Sequence, residues 1–209
     1  MMELQIDLLR HGETTLSHTL RGSTDDALTQ NGFRQMWQTV DYVWNPSDSC
    51  PWQMIFSSNL LRCQSFAEQL QARTQSPLIL DAQLQEMHFG DWEGRSTQDI
   101  YEQNAELLAN FWQQPSMYYP PNAEKYADFQ QRVLKAVHDI YQQMQRQHIS
   151  RALVVTHGGV IKFLKCLALQ QPLDDLLKMS APLGQLCSMQ LLLDEQSDQY
   201  HFRLLEAHE

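Results

Sequence analysis

The run Ala152-Leu153-Val154-Val155-Thr156, which ends in His157-Gly158-Gly159, constrains the fold more than any other stretch of this chain. A strand whose consecutive residues are apolar is buried on both faces, as happens where helices cover both sides of a mainly parallel sheet. The glycines after it open a helix. An earlier run, Leu4 to Leu9, alternates in its first residues and then closes on Arg10-His11-Gly12-Glu13-Thr14. Each of these two histidines therefore stands where an apolar strand gives way to the next element.

An Arg-His-Gly corner at a sheet edge offers an anion one imidazole, one guanidinium and bare backbone N–H groups. A phosphate ester is the expected anion. A lone triplet would be weak, because the chain holds eight histidines and fifteen basic residues, and most histidines are surface or satisfied core groups. Its company strengthens it. Arg62 follows the run Met54-Ile55-Phe56-Ser57-Ser58 in the first turn of another helix, and Glu86 lies just beyond a short strand at Leu78 to Leu80. Ligands of parallel sheets collect outside the carboxyl ends of the strands, so His11, Arg62, Glu86 and His157 are expected to converge on one cleft.

The other elements follow from periodicity. Phe33, Met36, Trp37, Val40, Val43 and Trp44 recur at helical spacing before Pro46. Ser58 is the expected N-cap of a helix that turns Cys63, Phe66, Ala67 and Leu70 inward. Between about 95 and 122 a helix ending in Phe111-Trp112 leads into an aromatic, proline-rich loop, Pro115 to Pro121, a candidate lid. Tyr126, Phe129, Val133, Val137, Ile140 and Met144 form the cleanest amphipathic stripe, and the strand at Ala152 follows it. A helix from about Val160, a shorter one near Leu173 and closing strands at Leu186 to Leu193 and Tyr200 to Leu205 complete the chain, the last two as a possible antiparallel pair.

With 209 residues the chain suits one α/β domain spanning 1–209. No apolar run approaches the length of a membrane span, and the start Met1-Met2-Glu3 carries no secretory pattern, so a cytoplasmic location is the default expectation. Cys50, Cys63, Cys166 and Cys187 match no zinc spacing, and neither disulfides nor a metal are expected. The net charge of −10 argues against nucleic acid and anionic membranes as partners, and makes a basic cleft a local exception within an acidic shell.

Four segments, Leu-Leu-Arg-His-Gly-Glu-Thr, Ser-Ser-Asn-Leu-Leu-Arg, Glu-Met-His-Phe-Gly-Asp-Trp-Glu-Gly and Val-Thr-His-Gly-Gly, together resemble the histidine phosphatase superfamily, the phosphoglycerate-mutase-like proteins. The resemblance runs over nearly the whole chain and implies a three-layer sandwich, a mainly parallel central sheet flanked by helices. Phe-Gly-Asp-Trp-Glu-Gly and Pro120-Pro121-Asn122-Ala123-Glu124, ahead of Phe129 and Arg132-Val133, further resemble the α-ribazole phosphatases of cobalamin biosynthesis.

The resemblance implies that His11 attacks phosphorus and becomes phosphohistidine, which water hydrolyses. Nearby cations would favour the neutral imidazole this requires, and the other ring nitrogen would donate to a backbone carbonyl. Arg10, Arg62 and His157, with Gly158 beside it, would hold the transferring phosphoryl oxygens without a metal or other cofactor. Glu86 takes the proton-donor position. Ser17, Arg21 and Gly22 match phosphate-lining positions, although Ser17 stands where many members carry asparagine and Asn122-Ala123 where a Gly-Gly is usual. Glu13 is assigned a plain turn or cap role.

A small phosphate monoester is the expected partner, with a homodimer left open. Trp112, Tyr118 and Tyr119 are candidates to stack on a flat leaving group, or simply to pin the loop to the core. The competing readings are a broad-specificity phosphatase, a phosphoglycerate-mutase-like enzyme, and a non-catalytic phosphate- or protein-binding member of the same fold. The short interval between Glu86 and His157 leaves little room for the insertion that mutases tend to carry.

Overall fold

Six strands form one sheet in a computed structural model of the chain, which describes residues 4–194 and 199–205. β1 (Leu4–Arg10) leads to α1 (Gln30–Val43), and β2 (Met54–Ser57) leads to α2 (Leu61–Thr74) and the short β3 (Leu78–Leu80). α3 (Thr97–Gln113) and α4 (Tyr126–Arg146) precede β4 (Arg151–Thr156) and α5 (Gly158–Ala168). β5 (Leu186–Asp194) and β6 (Gln199–Leu204) come last, after a 3₁₀ helix at Leu173–Lys178. The strand order is β3-β2-β4-β1-β5-β6, parallel from β3 to β1 and antiparallel at β5 and β6. The expected mixed sheet is thus the one observed.

Alternation along the central strands sorts the core into two layers. Leu8 of β1 and Ala152 and Val154 of β4 point towards α4 and α5, where they meet Phe129, Val133 and Phe163. Leu9, Leu153 and Val155 point the other way, onto Met36 and Val40 of α1 and Phe66 of α2. β4 is therefore apolar at every position from Ala152 to Val155 because both of its faces are covered. One buried charge interrupts the pattern: Asp7 accepts hydrogen bonds from Trp52 Nε1 (2.7 Å) and Ser188 Oγ (2.6 Å), and pairs with Arg151 (2.7 Å). It ties β1 to the start of β4 and to β5.

Two helix boundaries differ from expectation. α2 starts at Leu61, not at Ser58, and its cap comes from another segment: the Leu61 N–H donates to Asp25 Oδ1 at 2.7 Å. Ser58 is then available to a different partner, described below. α3 is broken at Asn104 (φ −156°), whose Oδ1 accepts from Leu107 N at 2.9 Å. A short amide that competes with the helical backbone in this way caps the second half of the helix. That half carries Leu108 and Phe111 into a small separate cluster with Trp92 and Ile100.

Candidate active site

Register brings the two histidines together. Arg10 and Thr156 are Cα partners in the parallel β1/β4 ladder, so the next residues, His11 and His157, leave the sheet side by side with ring centroids 5.3 Å apart. His11 is 3 % exposed and His157 fully buried. His11 Nδ1 lies 2.8 Å from the carbonyl of Gly12, an acceptor only, so Nδ1 carries the proton and the Nε2 lone pair is left for an electrophile. The expected backbone partner is therefore in place.

Arg62, fully buried in the first turn of α2, organises the loop that follows β1. It donates to the carbonyls of Gly22 (2.6 Å) and Thr24 (2.8 Å), to Asp26 Oδ1 (3.2 Å) and, through Nε, to His157 Nδ1 (3.3 Å). The last bond makes Nδ1 of His157 an acceptor, so its Nε2 carries the proton and donates to Ser58 Oγ at 2.8 Å. Ser58 thus serves the histidine, and towards α2 it accepts only a longer bond from the Leu60 N–H at 3.3 Å. Arg10 donates through Nη1 to the carbonyl of Ala181, while its Nε is buried without a hydrogen-bond partner.

Glu86 is met from the opposite side. The N–H of Gly159, in the first turn of α5, donates to both of its carboxylate oxygens (3.1 and 2.9 Å), and Met87 N donates to Oε1 at 3.1 Å. The backbone carrying Glu86 is clamped by Arg132 of α4, which donates to the carbonyls of Gln83, Gln85 and Glu86 at 2.7 to 2.9 Å. Glu124 aligns Arg132 through a two-point ion pair (2.6 and 2.8 Å). The Pro-Pro-Asn-Ala-Glu segment therefore bears on Glu86 through Arg132, and Glu124 does not line the cavity.

A cavity of about 180 Å³ opens beside these groups. Arg10, His11, Arg21, Glu86, Gly158 and Lys162 line its polar part. Phe89, Phe111, Trp112, Tyr126 and Phe129 supply an apolar, aromatic wall. Of the three aromatic residues singled out in the sequence, only Trp112 reaches the cavity; Tyr118 and Tyr119 are exposed and outside it. Pro115 is the part of the candidate lid that touches the cavity.

Several expected phosphate-lining positions have other partners. Ser17 is exposed and lies outside the cavity, its hydroxyl accepting from Thr14 N at 2.8 Å. Gly22 donates its N–H to Glu93 (2.9 and 3.1 Å), and a Cβ there would come within 1.7 Å of the Met87 carbonyl, so only glycine fits. Arg21 lines the cavity but is tied to Asp26 at 3.1 Å. Glu13 accepts from Thr29 Oγ1 and Asn31 Nδ2, both at 2.8 Å, and so braces the start of α1, whose cap is Thr29.

Four residues escaped sequence reasoning. Asp26 is the buried counter-ion of both Arg21 and Arg62. Glu93 gathers the N–H groups of Gly22, Ser23, Thr24 and Phe89, and so shapes the loop whose carbonyls hold Arg62. Burial would raise its carboxyl, but the hydrogen bonds from Thr24, Phe89 and Gly22 outweigh that and hold it below the usual range. Lys162 lines the cavity one helical turn beyond Gly158, a spacing visible in the sequence, and Gly159 contacts Glu86. Glu93 lies inside the Phe-Gly-Asp-Trp-Glu-Gly segment, which marked it without giving it a role, and Asp26 carries no comparable local signal.

The model of the histidine phosphatase superfamily, branch 1, matches residues 6–205. The chain belongs to this superfamily. Among relatives, the adenosylcobalamin/α-ribazole phosphatase of Escherichia coli K12 is 30% identical over 166 residues, 77% of each chain. The glucosyl-3-phosphoglycerate phosphatase of Mycolicibacterium vanbaalenii is 26% identical over 174 residues, 80% of this chain and 75% of that protein. The solved structure of Bacillus stearothermophilus YhfR superposes with a TM-score of 0.82 at 27% identity, over 99% of this chain and 98% of the other. The phosphoglycerate-mutase-like architecture and a phosphoric monoester hydrolase activity follow from this membership.

In this histidine phosphatase both imidazoles are hard to protonate. Burial first, and then the Arg62 guanidinium, holds each well below the ordinary histidine value. Burial outranks the cations that the sequence had suggested as the cause. Because the unfolded chain takes up these protons near pH 6.5 and the folded chain only at lower pH, the fold loses stability as pH falls below about 6.5 and nothing above it, by up to about 1.4 kcal/mol per pH unit for each histidine. Urea unfolding of the wild type and of His157→Asn between pH 7.5 and 5 checks this, and the variant should show the shallower slope. Equal slopes would remove His157 from the account.

Proposed function

We propose that the chain hydrolyses phosphate monoesters through a phosphohistidine on His11, and that its substrate is α-ribazole 5′-phosphate. Nε2 of His11 attacks phosphorus, the bond to the leaving oxygen breaks, and protonated Glu86 gives that oxygen its proton. Water then attacks the phosphohistidine, Glu86 takes back a proton, and phosphate departs from a neutral His11. Arg10 on the cavity wall, with the positive field of the buried Arg62 behind it, balances the charge that spreads over the phosphoryl oxygens in both steps, and the neutral His157 holds the Arg62 guanidinium through Nδ1. Gly158, on the cavity wall against Arg10, leaves room for that phosphate.

The observation that carries this reading is the buried Arg10 Nε, which has no partner in a wall shared with His11 and Glu86. A buried donor left unpaired costs about 1–3 kcal/mol, which a bound phosphate oxygen would recover. The substrate assignment is supported by the aromatic wall, which suits a flat base such as benzimidazole, and by the resemblance to the Escherichia coli protein. A second reading rests on Lys162: among the described residues no hydrogen bond or ion pair engages this cavity-lining ammonium, so it favours a leaving group that bears its own carboxylate.

The test is kcat/KM in the presence of a chelator for α-ribazole 5′-phosphate, 3-phosphoglycerate, glucosyl-3-phosphoglycerate and p-nitrophenyl phosphate, with Lys162→Met alongside. A preference for the ribazole ester of roughly a hundredfold or more, little changed in Lys162→Met, is expected. A preference for a glycerate ester that collapses in Lys162→Met would replace this substrate with the second class. Loss of all activity with the chelator would overturn the metal-independent reaction.

A further inference from the structure

We propose that Gly159 is the positioning residue for the Glu86 carboxylate, and that its missing side chain, not helix geometry, is what the site requires of it. Glu86 enters on a non-helical segment after the turn at Ala82–Leu84, where its own backbone holds the side chain by a single bond, from Met87 N to Oε1 at 3.1 Å, and leaves Oε2 free. What fixes it is α5. The Gly159 N–H bonds both carboxylate oxygens, and a Cβ at this position would lie 2.2 Å from Oε1 and 3.1 Å from Cδ of Glu86. The three atoms nearest to such a Cβ all belong to the Glu86 carboxylate.

Two consequences follow from that geometry. Gly159 has helical backbone with no positive φ, so alanine is acceptable to the backbone and favoured over glycine inside a helix. The clash is with the far end of a flexible side chain, which can swing aside without disturbing the fold. Gly159→Ala therefore displaces the acid while leaving His11, Arg10 and Arg62 untouched. Gly158 offers a contrast: a Cβ there would press on the Arg10 guanidinium at 3.0 Å, on the phosphate side of the cavity.

The inference rests on Glu86 as proton donor, and the experiment separates the two ideas. Gly159→Ala, Glu86→Gln and the double variant are compared on an alkyl phosphate and on p-nitrophenyl phosphate, whose leaving group needs little protonation. Vanadate affinity and melting temperature are read on each protein. Gly159→Ala is expected to lose about tenfold to a hundredfold in kcat on the alkyl ester, a part of what a positioned acid contributes. The loss on p-nitrophenyl phosphate should be much smaller, with vanadate affinity and melting temperature held and the double variant no slower than Glu86→Gln.

Equal losses on both esters, or losses that multiply in the double variant, would overturn the positioning role. If instead Glu86→Gln itself shows no leaving-group dependence, the proton-donor assignment falls first. A wild type inactive on every ester would fall on the proposed reaction and not on Gly159 alone.

Discussion

His11→Ala is expected to lower kcat by on the order of 10⁵ or more, the scale seen when the nucleophile of a covalent-intermediate enzyme is removed. The imidazole lines the cavity with its tautomer already set, since Nδ1 is committed to the Gly12 carbonyl and the Nε2 lone pair is left over. Water would have to attack the ester directly, aided only by the surrounding positive charge. Rapid quench in acid and in alkali of enzyme mixed with ³²P-labelled ester reads the intermediate: acid-labile, alkali-stable label should appear on the wild type and be absent from the variant. Because Arg10 and Arg62 remain, the variant should still bind vanadate. Label that survives on His11→Ala would mean that another residue attacks phosphorus.

Arg62→Ala should fail in two ways at once. Catalysis loses a guanidinium beside both imidazoles, a deletion typically worth about 10²–10³ in kcat for one preorganised charge-stabilising donor. Stability suffers too, because the carbonyls of Gly22 and Thr24 lose their donor and the buried Asp26 is left with Arg21 as its counter-ion and the Leu16 N–H. Breaking a buried ion pair from one side costs about 3–5 kcal/mol. Arg62→Lys separates the two effects: an ammonium keeps the charge but cannot span Gly22, Thr24, Asp26 and His157 together, so it should recover part of the stability and little of the rate. Urea unfolding and kcat/KM on both variants measure this. Unchanged kinetics in Arg62→Ala would return Arg62 to a purely structural role.

Much of this site was legible in the chain because strand ends are local features. The apolar run into His157 and the alternating run into His11 identify two strands by periodicity, and any parallel pairing puts their ends at one edge of the sheet. Arg62 and Glu86 were recoverable for the same reason, each lying shortly after a strand. The loop between β1 and α1 was not legible in this way. Ser17 and Gly22 matched phosphate-lining positions, yet their hydrogen bonds go to Thr14 and Glu93, and α3 brings Trp112 to the cavity while the loop after it leaves Tyr118 and Tyr119 outside. Ser58 illustrates the difficulty: as a local signal it is a good N-cap, and in the fold it accepts from His157, a partner remote in the chain.

By itself, then, the sequence determined the strands and helices, their apolar faces, and the sheet edge at which the histidines meet, since periods of 2 and 3.6 and the residues that end them are properties of neighbouring positions. Only the tertiary structure decided which polar groups hold one another. Asp26 became a counter-ion, Glu93 the anchor of the Arg62 loop and Arg132 the clamp behind Glu86 through partners supplied by other segments. A buried polar group must find a partner wherever the packed chain places one, and no local pattern records where that will be.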